Sequence, residues 1–127
     1  MRLDFIADGC GEAPLIRIFE FSADEVRQLH AAFLQMSDGL TEKFALHEQN
    51  WITTISNCEL WLVFDKKDDK GVQKSGATTF VCTYSQEGWL GLADKTAPFI
   101  DGRKSGHYNW LTNEGDIEFL LSPDGRW

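Results

Sequence analysis

The segment LIRIFEFSADEVRQLHAAFLQMSDG, residues 15–39, places a strand pattern directly before a helix pattern. β-Branched and aromatic residues occupy both faces of residues 15–21, which is typical of a central, covered strand. Ser22 and Glu25 then have the spacing of a capping box, in which each side chain satisfies the other's backbone amide. Gly39 suits the left-handed end of a helix. The apolar stripe between them predicts one buried helix face: Val26, Leu29, Phe33 and Met36.

Strand patterns lie on both sides of this segment. Upstream, residues 2–8 alternate and are predicted to pair antiparallel with residues 15–21. Downstream, strand patterns cover residues 42–48, 51–56, 59–65 and 77–84. We expect the last two to form a hairpin around the charged connection at 65–71.

The C-terminal third predicts a second helix and a second hairpin. Ser85 is a suitable N-cap for a helix over 86–99, although two glycines and a proline weaken the pattern. The turn residues 113–116 predict a hairpin between strands at 108–111 and 117–121. The sequence therefore predicts an α+β fold, an antiparallel β-sheet of about five to seven strands with two helices packed on one face. With no internal repeat or linker, residues 1–127 are expected to form a single α+β domain.

The charge of the chain limits its partners. Twelve Lys and Arg against twenty Asp and Glu give a net charge of −8. Such a field repels phosphates and anionic lipid surfaces, so we expect neither nucleic acid nor a membrane as partner. No segment approaches the roughly 20 apolar residues of a membrane span. A basic protein would be attracted instead.

The cysteines indicate a reducing compartment. Cys10, Cys58 and Cys82 are far apart, so no paired metal or redox motif is present. With no targeting segment in the first residues, we expect the protein to be cytoplasmic. Cys58 and Cys82 lie in strand patterns and are predicted to be core residues. Cys10 lies between glycines and is the one candidate for a reactive thiol.

Signatures of metal and nucleophilic chemistry are missing, and no cofactor is predicted. The glycine-bounded loop at 102–106 places Arg103 and Lys104 where backbone amides could hold an anion, although a turn explains it equally well. His107 follows this loop and is a candidate binding residue. His30 and His47 are expected at a helix rim and on an exposed strand face.

Aromatic residues are in excess, with five Trp, nine Phe and two Tyr. Most are expected in the core, including Trp61. Tyr108, Trp110 and Trp127 lie near C-terminal turns and are predicted either to cap the sheet or to form a contact patch.

Two classes of function remain open. The first is a non-enzymatic protein-interaction or assembly module that binds a basic protein partner or forms a homodimer. The alternative is a small-molecule-binding protein or hydrolytic enzyme with its site near the Arg103–His107 loop.

Overall fold

The predicted capping box is present at the start of the first helix. In the computed structural model, which describes residues 1–11, 13–101, 107–112 and 114–127, Ser22 Oγ accepts from Glu25 N–H at 3.2 Å. Glu25 Oε1 accepts in return from Ser22 N–H at 2.9 Å. Helix α1 spans Ala23–Ser37 and buries the whole predicted stripe. Gly39 follows with φ +75°.

The second helix packs along the first. Helix α2 spans Gln86–Ile100 and begins at Ser85, whose Oγ accepts from Gly88 N–H. The rings of Phe33 and Trp89 stack with centroids 5.6 Å apart. Phe21, just before α1, meets Phe99 near the end of α2 at 5.8 Å. These two contacts pair the start of one helix with the end of the other, so the helices run antiparallel.

The described residues form nine strands, which range from two to nine residues in length. Their bounds are β1 Arg2–Cys10, β2 Ala13–Phe19, β3 Lys43–Ala45, β4 Thr53–Thr54, β5 Glu59–Phe64, β6 Gly71–Lys74, β7 Thr79–Tyr84, β8 Asn109–Trp110 and β9 Glu118–Ser122. They form two sheets that mix parallel and antiparallel pairs.

Sheet A has the order β4-β1-β2-β9-β8. The antiparallel pairing of β1 with β2 is confirmed, and so is the C-terminal hairpin of β8 with β9. Strand β9 also lies beside β2 and runs parallel to it, with Leu15 opposite Glu118. Cys10 belongs to the last position of β1 rather than to a loop, and its side chain lies outside the described part of the structure.

Sheet B has the order β3-β5-β7-β6, and it overturns one prediction. The expected hairpin between 59–65 and 77–84 is wrong, because β5 and β7 are parallel neighbours. The connection between them contains an additional strand, β6, which forms the true hairpin with β7. A parallel pair cannot be joined by a tight turn, so the chain uses β6 as part of its crossover.

Residues 42–48 and 51–56 form less strand than expected. Only Lys43–Ala45 is extended in the first, and a 3-10 turn follows at Leu46–Glu48. In the second, only Thr53–Thr54 pairs, in parallel with β1.

The α+β class is confirmed. One hydrophobic core draws on both sheets and both helices, with Ile16, Leu62, Phe80 and Trp89 among its fully buried members. Val72 of β6 forms a single antiparallel bridge with Ile117, just before β9, and so links the two sheets. Cys58 and Cys82 are buried and free, as predicted.

Candidate functional site

The structure brings two of the predicted C-terminal aromatic residues together. Tyr108 and Trp110 lie at alternate positions, and their rings meet edge to face with centroids 6.1 Å apart. Tyr108 is 39 % exposed, and Trp110 is partly buried opposite Leu120 of β9. The two rings form a small aromatic ledge on the edge strand of sheet A.

Trp127 is held near the same end of this hairpin but not against those rings. Ser122 Oγ donates to Arg126 O at 2.7 Å, and Arg17 Nη1 donates to Gly125 O at 2.9 Å. These bonds fix the turn that precedes Trp127, whose side chain is 45 % exposed. The ring contacts of the described residues place Tyr108 only with Trp110.

The predicted polar site cannot be assembled from the described residues. Arg103 and Lys104 lie outside them. His107 is described and exposed, and it is not among the residues that line the four hollows at sheet B and helix α2. The Arg103–His107 site therefore stays a prediction.

The outer face of sheet B, which points away from the core, carries apolar side chains at the centre of its two middle strands. Burial alternates over residues 59–63 of β5 and 79–82 of β7, so that Leu60, Leu62, Phe80 and Cys82 are buried while the residues between them are partly exposed. The partly exposed neighbours on this face are Glu59, Trp61 and Val63 of β5 and Thr79 and Val81 of β7, so its apolar part is the group Trp61, Val63 and Val81. A sheet face meant for water normally carries polar residues at such positions.

A hollow of about 390 Å³ opens on this outer face. Trp61, Val63 and Val81 supply its apolar wall, and Lys43 and Ser75 are among its polar lining. The expectation that Trp61 belongs to the core is wrong, since its indole lies on the outer face and touches His47. The sequence ELWLVF of β5 is apolar at five of its six positions, so its pattern does not distinguish the covered face from the open one.

A second hollow, of about 340 Å³, is polar. It is lined by His47, Glu59, Thr54, Asn57, Cys58 and Thr78. His47 is partly buried, whereas the sequence predicted it to be exposed. The Leu60 backbone N–H donates to His47 Nδ1 at 3.1 Å and so orients the ring. The hollow thus combines an oriented imidazole with a carboxylate.

Cys58 lies in the wall of this polar hollow, but its thiol is not poised to react. Burial raises the pKa of Cys58 to about 12, and the nearby carboxylates of Asp4 and Glu59 add to the shift. A nucleophilic cysteine needs the opposite shift, because the thiolate is the reactive form. Any chemistry in this hollow would therefore fall to His47 and Glu59.

A third hollow, of about 140 Å³, lies beside helix α2 at Gly88 and Gly91. Two of its polar side chains already form hydrogen bonds within the chain. Tyr84 Oη donates to Glu114 Oε2 at 2.6 Å, and Lys95 Nζ donates to a backbone carbonyl at 3.3 Å. Burial, followed by this hydrogen bond to Glu114, raises the pKa of Tyr84 above its ordinary value. We interpret this cluster as a brace between α2 and the hairpin turn.

Comparisons with known proteins add no template for these features. No family model matches the chain, and searches of curated proteins and of solved structures find no match either. Across the described ranges, no three His, Cys, Asp or Glu side chains are grouped as a metal site would need. No helix in those ranges has the length and apolar character to cross a membrane.

Proposed function

We propose that this protein is a protein-interaction module that docks a partner on the outer face of sheet B. The observation that carries the proposal is the apolar wall of Trp61, Val63 and Val81 around an open hollow of about 390 Å³. Partly exposed apolar side chains grouped on one sheet face are typical of interaction surfaces. Tryptophan at the centre of such a face is the residue type that most often dominates binding energy.

The proposed partner is a positively charged protein rather than a second copy. The chain carries a net charge of −8, so two copies repel each other while a basic protein is steered toward it. Lys43 at the hollow can donate a hydrogen bond to a backbone carbonyl of that partner. The partner is met in the cytoplasm, where the free thiols of Cys58 and Cys82 are stable.

The test is a comparison of variants in binding to one identified partner. The native chain is immobilised at low salt, a captured protein is identified, and its Kd is measured with purified components. Val81→Lys places a charge on the apolar wall, so we expect the Kd to rise at least tenfold. Leu34→Lys adds the same charge on helix α1, where Leu34 is 40 % exposed, and should leave the Kd within about twofold.

The competing surface is the aromatic ledge with Trp127. If Trp127→Ala or Tyr108→Ala weakens binding while Val81→Lys does not, the partner docks at the C-terminal hairpin and the proposal for sheet B fails. Sedimentation of the native chain supplies a further check. A concentration-dependent dimer that Val81→Lys abolishes would identify the occupant as a second copy and overturn the choice of a basic partner.

A small-molecule site is the second candidate, supported by the hollow that joins His47 to Glu59. At about 340 Å³ it lies within the size range of ligand pockets. Native mass spectrometry of untagged protein at low salt should then detect an added small mass that disappears on denaturation. His47→Ala should remove that mass, whereas His30→Ala on helix α1 should not. An unmodified mass of 14.4 kDa in every sample would end this candidate.

A further inference from the structure

Among the described residues, the β6 edge of sheet B is only partly paired. Strand β6 is the edge strand, and it pairs antiparallel with β7 on its inner side. Backbone hydrogen bonds in such a pair alternate between facing the partner and facing away. Ser75 N–H donates to Thr79 O at 2.8 Å at the end of this hairpin. Ser75 and Thr79 are therefore a hydrogen-bonded pair. Because hydrogen-bonded and non-hydrogen-bonded pairs alternate along the register, the backbone N–H and C=O of Val72 and Lys74 point away from β7.

The two outward positions of β6 are used differently. Val72 forms its bridge with Ile117 on this outer side. Gly115 also lies against it, because a Cβ there would sit 3.0 Å from Val72 O. Lys74 pairs with Phe80 and has no further strand partner among the described residues. The chain therefore closes the first half of the β6 edge and leaves the second half open.

A cleft of about 520 Å³ lies directly beside the open half. Its apolar lining is Phe5, Pro14, Val72 and Ile117, and its polar lining is Gln73, Lys74 and Asp116. Phe5 is fixed in place by its contact with Phe80, with ring centroids 4.5 Å apart. Pro14, at the start of β2, has no backbone N–H, so this residue cannot donate a ladder bond across the gap.

We propose that this cleft, the β6 cleft, binds an extended peptide segment of a partner protein by strand addition. The segment pairs with the N–H and C=O of Lys74 and places an apolar side chain against Phe5 and Pro14, the partly exposed apolar residues of the cleft. A basic side chain next to it lies against Asp116, in keeping with the net charge of −8. Main-chain bonds supply affinity and the cleft supplies selectivity, as in other cases of strand addition. This site is independent of the outer face of sheet B.

The decisive variant is Lys74→Pro, because it deletes the outward N–H in the open half of the β6 edge while sparing the bonds to β7. Proline is tolerated in edge strands when its N–H would face solvent. Lys74→Ala is the matched control, since it removes the ammonium but keeps the N–H. Gln73→Pro is the control for orientation, because the Gln73 N–H faces β7 and its loss should lower the melting temperature.

The probe is a phage-displayed library of random heptapeptides, panned on the native chain with Lys74→Pro as the counter-selection. We expect enriched peptides to combine an apolar residue with a neighbouring Lys or Arg. Synthesised singly, such a peptide should bind Lys74→Pro about tenfold more weakly than the native chain, which matches the loss of one main-chain bond. Its Kd for Lys74→Ala should stay within about threefold.

Hydrogen exchange makes the test independent of how well the proline variant folds. In the native chain the Lys74 amide should exchange at least tenfold more slowly once the peptide is bound, while amides on the outer edge of β3 should not change. No enrichment over the counter-selection, or a bound peptide that leaves Lys74 exchange unaltered, overturns the proposal. Binding that Val81→Lys abolishes but Lys74→Pro spares would assign the peptides to the outer face of sheet B instead.

Discussion

Replacing Arg17 should destabilise the protein far more than replacing any exposed arginine. Arg17 Nε and Nη2 donate to the two carboxylate oxygens of Asp4 at 3.0 and 2.7 Å. Its Nη1 donates to Gly125 O, and its guanidinium carbon lies 3.9 Å from the centre of the Phe19 ring. The side chains of Arg17 and Asp4 are only 20 % and 11 % exposed. One guanidinium thus joins strands β1 and β2 to the C-terminal turn.

The expected cost of Arg17→Met follows from the carboxylate that it leaves behind. Breaking a buried pair on one side costs about 3–5 kcal/mol, because the remaining charge is uncompensated. Since Arg17 keeps some contact with water, we expect the lower end, about 3 kcal/mol. For 127 residues the unfolding entropy is roughly 0.27 kcal/mol/K, so the melting temperature should fall by about 11 °C.

The assay is urea unfolding at pH 7 with an internal comparison. Arg2 forms a similar contact with Glu20 at 2.8 Å, but both side chains are more than half exposed, so Arg2→Met should cost less than about 1 kcal/mol. Adding Asp4→Leu to Arg17→Met should recover part of the loss, because the unpaired carboxylate is gone. Equal losses for Arg2→Met and Arg17→Met would refute the reasoning.

Four further predictions test other parts of the structure. Gly71→Ala should cost about 2–3 kcal/mol, because φ is +70° and a Cβ would collide with a backbone carbonyl of the nearby hairpin turn. In contrast, Gly91→Ala has open space around its Cβ and should add about 0.5–1 kcal/mol to the stability of helix α2, as thermal unfolding of both variants will measure. Burial raises the pKa of Glu25, but its hydrogen bonds with the Met1 ammonium and Ser22 outweigh this and leave it below 4.5. Because the pKa is lowered in the folded state, the ionised Glu25 carboxylate stabilises the fold above pH 4.5, and this stabilisation is lost as the pH falls. The unfolding free energy of Glu25→Gln should therefore be slightly lower than that of the native chain at pH 7, and the difference should shrink toward pH 3. Cys58 should resist iodoacetamide at pH 8 in the native state and react at once in urea, since its pKa is about 12 when folded; fast native labelling at that residue would contradict its burial.

Features set by neighbouring residues could be predicted from the sequence. The start of α1 depends on Ser22 and Glu25, three positions apart, and the start of α2 depends on Ser85. The hairpin of β8 with β9 follows from a turn signal between its strands. In each case the stabilising contact lies within a few residues of the pattern that indicates it.

Features set by distant residues could not be predicted in this way. Strand β6, with the sequence GVQK, is short and half exposed, so its pattern does not differ from that of a loop. Nothing local indicates that β5 and β7 are parallel neighbours, and their strong strand patterns with a charged connection favoured a hairpin. The choice between one sheet and two depends on pairings of this kind.

The candidate surfaces depend on the same long-range information. Trp61 was expected in the core because apolar residues surround it in the sequence, and only the packing of sheet B leaves its face open. The β6 cleft combines Phe5, Pro14, Lys74 and Asp116, which belong to four separate segments of the chain. Tyr108, Trp110 and Trp127 were indicated by their position near turns, and their part in binding remains a prediction.

The parallel pairing of β2 with β9 also determines the order in which this chain can fold. The paired residues Leu15 and Glu118 are about 100 positions apart, and such non-local contacts slow folding because a long loop must close first. During synthesis, residues 13–19 are made long before residues 118–122, so the apolar β2 segment then has no β9 to pair with the N–H and C=O groups on that edge. An uncovered apolar edge is prone to pair with other chains. We therefore expect the nascent chain to be most prone to aggregation after residues 13–19 have been synthesised and before residues 118–122 can pair with them.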